Sequence, residues 1–329
     1  KELVNHEGFI GFKITVFDLT GNERVVEFRD DGNALVQTLP KNTENPTNNP
    51  TGYRARFDLK YPEVKSIALT SSNPGENLDY SDSRLVRDGD TLTLSFEVSE
   101  RISVKEDLEG SHKPLVSFYY GEAELPLIDD RISLQSGDTS GTKWQAELLI
   151  EEDSEILKDN EDYLGFKATV FDKAGNRRVI EFLDNGLNLV QSTLVGEGTE
   201  ITENSSGKRV RFDTKLPEIQ HFAFDSTNPA FNQDDFGDSY LVKDGDFITL
   251  TFQTSERIDN DTNYPEVSFL SGTQTFAADD GSIVHTDNGT NWTAILDVSQ
   301  LPDGVENFVG IKIIVYDEVG NRREVEFID

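Results

Sequence analysis

The sequence has no cysteine and no methionine, and only 2 tryptophans and 4 histidines in 329 residues. Without cysteine there are no disulfides, no thiolate zinc sites and no cysteine nucleophile. The missing methionine predicts an internal segment of a longer protein. No apolar run approaches the roughly 18 residues of a membrane-crossing helix, and no charged-then-apolar leader stands at Lys1. The sequence therefore predicts neither an anchor nor a signal peptide within these residues. Cations are also scarce, with 30 basic against 62 acidic residues and a net charge of −32. A field of that sign repels phosphate backbones and anionic membrane surfaces, so no nucleic acid is expected as a partner. Carboxylates at this density, once folding gathers them, either repel one another or share a bound cation, which makes calcium a candidate cofactor. There is no G-x-S-x-G elbow and no phosphate-cradling glycine loop. Acids lie on every turn instead of forming a distinct pair, so the chain is not expected to be an enzyme.

What is present is a long internal repeat. GFKITVFDLTGNERVVEF, from Gly11, recurs as GFKATVFDKAGNRRVIEF from Gly165 and as GIKIIVYDEVGNRREVEF from Gly310. RFDLKYPEVKSIALTSSNP, from Arg56, returns at Arg211, and RLVRDGDTLTLSFEVSERI, from Arg84, returns as YLVKDGDFITLTFQTSERI from Tyr240. One block occurs three times and the others twice, so the order reads as the tail of one unit followed by two whole units. The expected division is a hairpin over 1–30, a connector over 31–56, a repeat over 57–183, a connector over 184–211 and a repeat over 212–329. The connectors have polar second halves, but Leu35, Val36 and Leu39, matched by Leu189, Val190 and Leu194, predict an extra strand in each. The four histidines fall at non-equivalent places in the repeats, which excludes a shared imidazole site.

Alternation of period two runs through every repeated block. Phe12, Ile14 and Val16 face one way and Lys13, Thr15 and Phe17 the other, and a D-L-T-G-N turn leads into a second alternating run. Leu92, Leu94, Phe96 and Val98 form another inward row, and Trp144, Ala146, Leu148 and Ile150 a third, each with its copy in the last unit. About seven short strands per unit, separated by Gly, Pro, Asn and Asp turns, predict an all-β protein of tandem Ig-like β-sandwich domains joined by long connectors. At most one helical turn is expected, near Glu151.

FDLKYPEV, VRDGD, LSFEVSE and FDKAGN in the first full unit, with FDTKLPEI, VKDGD, LTFQTSE and YDEVGN in the second, resemble the bacterial Ig-like tandem repeats of large secreted surface adhesins. The resemblance implies an extracellular, surface-attached protein whose domains act as spacers in cell adhesion or biofilm attachment, stiffened by calcium near their junctions. Its partners would be neighbouring repeats of the same or an adjacent chain, and a cell-surface or glycan ligand. Two alternatives stand beside this: a subunit of a self-assembling filament or sheath that lends the N-terminal hairpin by strand exchange, and a carbohydrate-binding accessory module.

The candidate metal ligands are the acids that repeat. They are Asp58 and Asp213 at the unit entrances, Asp18, Asp172 and Asp317 in the hairpin turns, and Asp82 and Asp238 ahead of the second strand. Asp30 and Asp184 join them because the family places ions near that junction, where these acids add charge. Calcium takes six to eight oxygens, which loops converging at one end of a sandwich supply. The competing reading is turn chemistry, since Asp caps a hairpin turn with its own carboxylate and glycine supplies positive φ. That reading is preferred for Asp88 and Asp90 and for their copies Asp244 and Asp246.

Overall fold

A computed structural model describes residues 7–39, 52–73, 82–102, 113–127, 129–151, 156–185, 187–195, 202–228, 239–258, 264–279, 281–286, 289–302 and 308–328. In chain order its strands are β1 (Glu7–Phe9), β2 (Phe12–Phe17), β3 (Glu23–Asp30), β4 (Leu35–Leu39), β5 (Arg56–Asp58), β6 (Val64–Ser71), β7 (Ser83–Val86), β8 (Thr91–Val98), β9 (Leu115–Tyr120), β10 (Ala123–Pro126), β11 (Ile132–Leu134), β12 (Lys143–Leu149) and β13 (Glu161–Tyr163). They continue as β14 (Gly165–Phe171), β15 (Arg177–Asp184), β16 (Leu189–Val195), β17 (Glu203–Asn204), β18 (Arg209–Asp213), β19 (Ile219–Ser226), β20 (Phe247–Thr254), β21 (Glu266–Ser271), β22 (Gln274–Ala277), β23 (Val284–Thr286), β24 (Asn291–Asp297), β25 (Gly310–Tyr316) and β26 (Arg322–Phe327). Short 3-10 turns stand at Asp129–Arg131 and Val298–Gln300. Residues 156–159 form a turn that buries Leu157.

The last unit is a two-sheet sandwich with strand orders β19-β20-β24-β23 and β22-β21-β25-β26. Lettered along the chain as A, B, C, C′, D, E, F and G, these are A-B-E-D and C′-C-F-G, the immunoglobulin arrangement. The preceding unit repeats the plan as β11-β12-β8-β6 and β10-β9-β14-β15 and adds one strand to each sheet, β17 on the first and β16 on the second. The chain is thus all-β, with tandem Ig-like sandwiches.

Alternation sets the inward faces as the sequence predicts. Leu92, Leu94, Phe96 and Val98 are buried while Thr91, Thr93, Ser95 and Glu97 between them remain half-exposed. Trp144 and Trp292 lie at the centres of the two cores, each packed among the inward rows of both sheets. The GFK glycine has its own reason to repeat. A Cβ at Gly11, Gly165 or Gly310 would stand 2.5, 2.7 or 2.5 Å from the carbonyl oxygen of Phe28, Phe182 or Phe327 on the neighbouring strand, closer than any real contact.

The extra strands come from the connectors. β4 pairs antiparallel with β3, and β16 with β15, where the repeated Leu and Val residues predict them. After β16 the chain crosses to the other sheet, where β17 pairs parallel with β6. It then forms β18, which lies parallel to β7 and antiparallel to β13. Val210, Phe212 and Leu189 from this stretch belong to the core of the preceding unit. At the N-terminal end, β2, β3 and β4 form a three-stranded sheet, and β1 pairs with β5 as β13 pairs with β18. Its inward row, Phe12, Ile14 and Val16, is 44%, 51% and 52% exposed, whereas the copies Phe166, Ala168 and Val170 are buried.

Candidate metal centre

Three chain segments meet at the entrance end of each sandwich. In the first full unit Asp58 closes β5, Glu100 follows β8 and Asp172 follows β14. In the second, Asp213 closes β18, Glu256 follows β20 and Asp317 follows β25. One carboxylate oxygen from each member of a triad lies within 4.8 Å of the others in both units. The local chemistry that aims these groups is repeated as well. Ser99 and Glu63 exchange bonds, N–H to carbonyl at 2.8 Å and N–H to hydroxyl at 2.9 Å, and Ser255 and Glu218 do the same at 2.9 and 2.9 Å. This clamp ties the end of the second strand to the unit entrance and sets the following Glu at the cluster.

The hairpin turn supplies the third carboxylate. Asp317 Oδ1 accepts from the main-chain N–H of Val319, Gly320 and Asn321 at 3.0, 2.8 and 2.8 Å. Asn321 Nδ2 donates to Asp317 Oδ2 at 2.8 Å and to the carbonyls of Asp213 and Lys215 at 2.9 and 3.3 Å, which pins the entrance to the turn. Asn176 does the same in the first unit, reaching the carbonyls of Asp58 and Lys60 at 3.0 and 3.2 Å. Both turns close on a glycine of positive φ, Gly175 and Gly320, each at 90°.

The second cluster is the more buried. Asp213 and Asp317 are 2% and 0% exposed. Burial, followed by the charge of Asp317, pushes Asp213 up to about 7. Burial, followed by the charges of Asp317 and Asp213, pushes Glu256 up to about 8. Burial also raises Asp317 against the bonds from its own turn. In the first cluster Glu100 is raised by burial and by the charges of Asp172 and Asp58. Arg211 lies 3.2 Å from Asp213 Oδ2, one guanidinium beside three carboxylates. An all-oxygen donor set of this kind fits a hard cation such as calcium and lacks the imidazole or thiolate that zinc prefers.

Among the expected ligands, Asp58 with Asp172 and Asp213 with Asp317 are brought together, and Asp18, Asp30, Asp82 and Asp184 are not. Asp18 is exposed and caps its own turn, accepting from Thr20 and Asn22. Asp30 accepts from Arg54 at 2.8 Å, and Asp184 and Asp82 both pair with Arg209, at 2.6 and 3.2 Å. Arg54 and Arg209 also stack on Phe9 and Tyr163, so one arginine device is built twice. Asp238 lies outside the described residues. Asp90 and Asp246 act as turn caps, accepting from the main-chain N–H of Arg87 and of Lys243, each at 2.8 Å. Glu100 and Glu256 are the members of the two clusters that the sequence reading did not name. Their signal was available, since Ser-Glu-Arg-Ile stands at 99–102 and again at 255–258.

The second cluster also sits where the two units touch. Val319 O accepts from Asn73 Nδ2 at 3.2 Å, and Gly320 O accepts from the Arg87 guanidinium, both donors belonging to the first unit. The turn that carries Asp317 is therefore the turn that meets the neighbouring domain.

No family model matches the chain, and no curated protein matches it. Among solved structures, two chains named as marsupial T cell receptor are similar over 80% of this chain and 100% of their own, with 9% and 11% identity and TM-scores of 0.20 and 0.21. Among the described residues, no helix is long and apolar enough to cross a membrane.

Proposed function

We propose that this chain is a non-catalytic repeat segment of a bacterial extracellular surface protein, a stalk or spacer in cell adhesion or biofilm attachment that calcium stiffens at its domain entrances. The observation that carries the calcium half is the duplication of the cluster. Asp58, Glu100 and Asp172 recur as Asp213, Glu256 and Asp317 with the same serine clamp and the same asparagine strut. Three carboxylates crowded in partial burial are costly when all are charged, and a divalent cation relieves that repulsion. Because the second cluster shares its turn with the contact to Asn73 and Arg87, an ion held there fixes the turn against both domains. The surface location and the adhesive role rest on the resemblance of the repeated motifs.

The test is thermal unfolding of the chain in calcium and in chelator. A ligand that binds only the folded state raises stability by about 2.7 kcal/mol at 100 times its Kd. A clear rise in Tm with calcium is expected, and the double variant Glu100→Gln with Glu256→Gln should lose most of it. An unchanged Tm removes calcium from the reading.

A further inference from the structure

The two units share one plan, and among the described residues the first carries strands on one side that the second does not. In the first, the connector runs from β16, paired with β15, to β17, paired with β6, and so bridges the outer edges of both sheets. Its hydroxyls serve the edge it covers: Thr202 Oγ1 donates to the carbonyl of Val64 at 2.7 Å and Ser205 Oγ to that of Ile67 at 2.6 Å. Thr202 N–H donates to Gln191 Oε1 at 2.9 Å, tying the two halves of the crossing together. Beneath it Ile67 and Phe182 are 1% and 2% exposed. The next stretch, β18, lies along β7 and covers Leu85 and Val86.

In the second unit the corresponding edges are β26 and β19, and among the described residues neither has an outer strand. Phe222 and Phe327, which repeat Ile67 and Phe182, are each 39% exposed, and their rings meet across the open seam with centroids 4.4 Å apart. Residues 239–243, which repeat the β7 stretch, form no strand, and Leu241 and Val242 are half-buried where Leu85 and Val86 are buried. Among the described residues, one side of the sandwich thus presents two strand edges without an outer strand, flanking apolar rings.

We infer that this seam is a docking site for one extended peptide segment of the connector type, of the chemistry carried by residues 185–213. The occupant is decided within the chain itself, because the first unit fills the equivalent seam with that segment. Docking is strand addition on two sheets at once. The segment pairs antiparallel with β26, crosses, and pairs parallel with β19, with hydroxyl side chains donating to the carbonyls of Ile219 and Phe222. Backbone bonds supply the affinity, while Phe222, Phe327 and the half-buried Leu241 and Val242 select an alternating apolar strand. The inference does not depend on cation binding.

A fluorescein-labelled peptide of residues 185–213 should bind the chain saturably in fluorescence anisotropy. Its binding should protect the amides of Ile219–Ser226 and Arg322–Phe327 from hydrogen exchange. Peptide carrying Leu189→Asp should bind at least about tenfold more weakly, and because that substitution is in the peptide, its effect cannot come from misfolding of the chain. Phe222→Asp in the chain should weaken binding similarly. Absence of saturable binding, protection confined to other strands, or equal binding by the substituted peptide would overturn the inference. So would self-association of the chain alone that protects these same strands, since the seam would then belong to a second copy.

Discussion

Asp18 and Asp317 occupy the same place in the repeat yet differ in surroundings. Asp18 is exposed, and hydrogen bonds from Asn22 and Thr20 hold its carboxyl well below the usual range. Asp317 keeps the main-chain and asparagine bonds, with Val319 in place of the Thr20 hydroxyl donor, but is raised, chiefly because it is buried between the unit entrance and the end of β20. That enclosure gives an unusual pH dependence. Asp213 is pushed up to about 7 and Glu256 up to about 8, chiefly by burial. Both bind a proton more tightly folded than unfolded, where carboxylates titrate near about 4. Across that window the folded state holds more protons, so stability falls as pH rises. In chelator, Tm should decline between about pH 5 and 8, and Glu256→Gln should flatten the decline. A profile that rises over this range, or one that the substitution leaves unchanged, would show that the cluster does not carry this charge. The sequence made the aspartates of this site legible because their turns repeat. It did not separate Asp30, Asp82 and Asp184 from them, since an arginine partner 24 to 127 positions away leaves no local mark. The two glutamates follow a strand and precede no turn signal, so only their repeated four-residue context marks them in the sequence.

At the scale of elements, the connector behaves as part of the domain it leaves. Arg209 anchors it, with Nε and Nη2 on the two oxygens of Asp184 at 2.6 and 2.8 Å, Nη1 on Asp82 at 3.2 Å, and its guanidinium 3.5 Å from the centroid of Tyr163. The side chains of Arg209 and Asp184 are 9% and 11% exposed, so removing the cation takes the bidentate guanidinium from a largely desolvated carboxylate. Arg209→Met should cost about 3 kcal/mol, at the low end for breaking a buried pair because Asp82 is half in water. Urea unfolding measures this, and a loss within the range of an ordinary surface substitution would show that β16 to β18 are held by pairing alone. Strands with alternating rows, such as β8 and β12 with their copies β20 and β24, were readable from period alone. So were β4 and β16, through their repeated Leu and Val. The pairing of β18 with β7 was not, because a parallel contact between segments more than 120 residues apart depends on how the connector folds back, and the polar half of the connector reads as a loop.

For the molecule as a whole, charge sets the background against which every local pair acts. With 62 acids and 30 basic residues, even complete pairing leaves an excess of 32 carboxylates, and compaction brings them closer than the unfolded chain does. Two electrostatic effects then compete as salt is added. Surface pairs such as Lys312 with Glu324 weaken, which lowers stability, while repulsion over the acidic surface is screened, which raises it. Exposed pairs contribute about 0 to 1 kcal/mol each, and the tightest ones here, around Arg209 and Arg211, have nearly buried guanidiniums that salt screens poorly. Repulsion is therefore the larger salt-sensitive quantity. In chelator, Tm should rise as sodium chloride increases from about 0.02 to 0.5 M, where the screening length falls from about 20 to 4 Å. On the proposed calcium reading the rise should be smaller in saturating calcium, since an ion at each of the two carboxylate clusters would already cancel charge there. A Tm that falls with salt in chelator would mean that the attractive pairs outweigh the excess of 32 charges and that the acidic surface is spaced widely enough to be harmless.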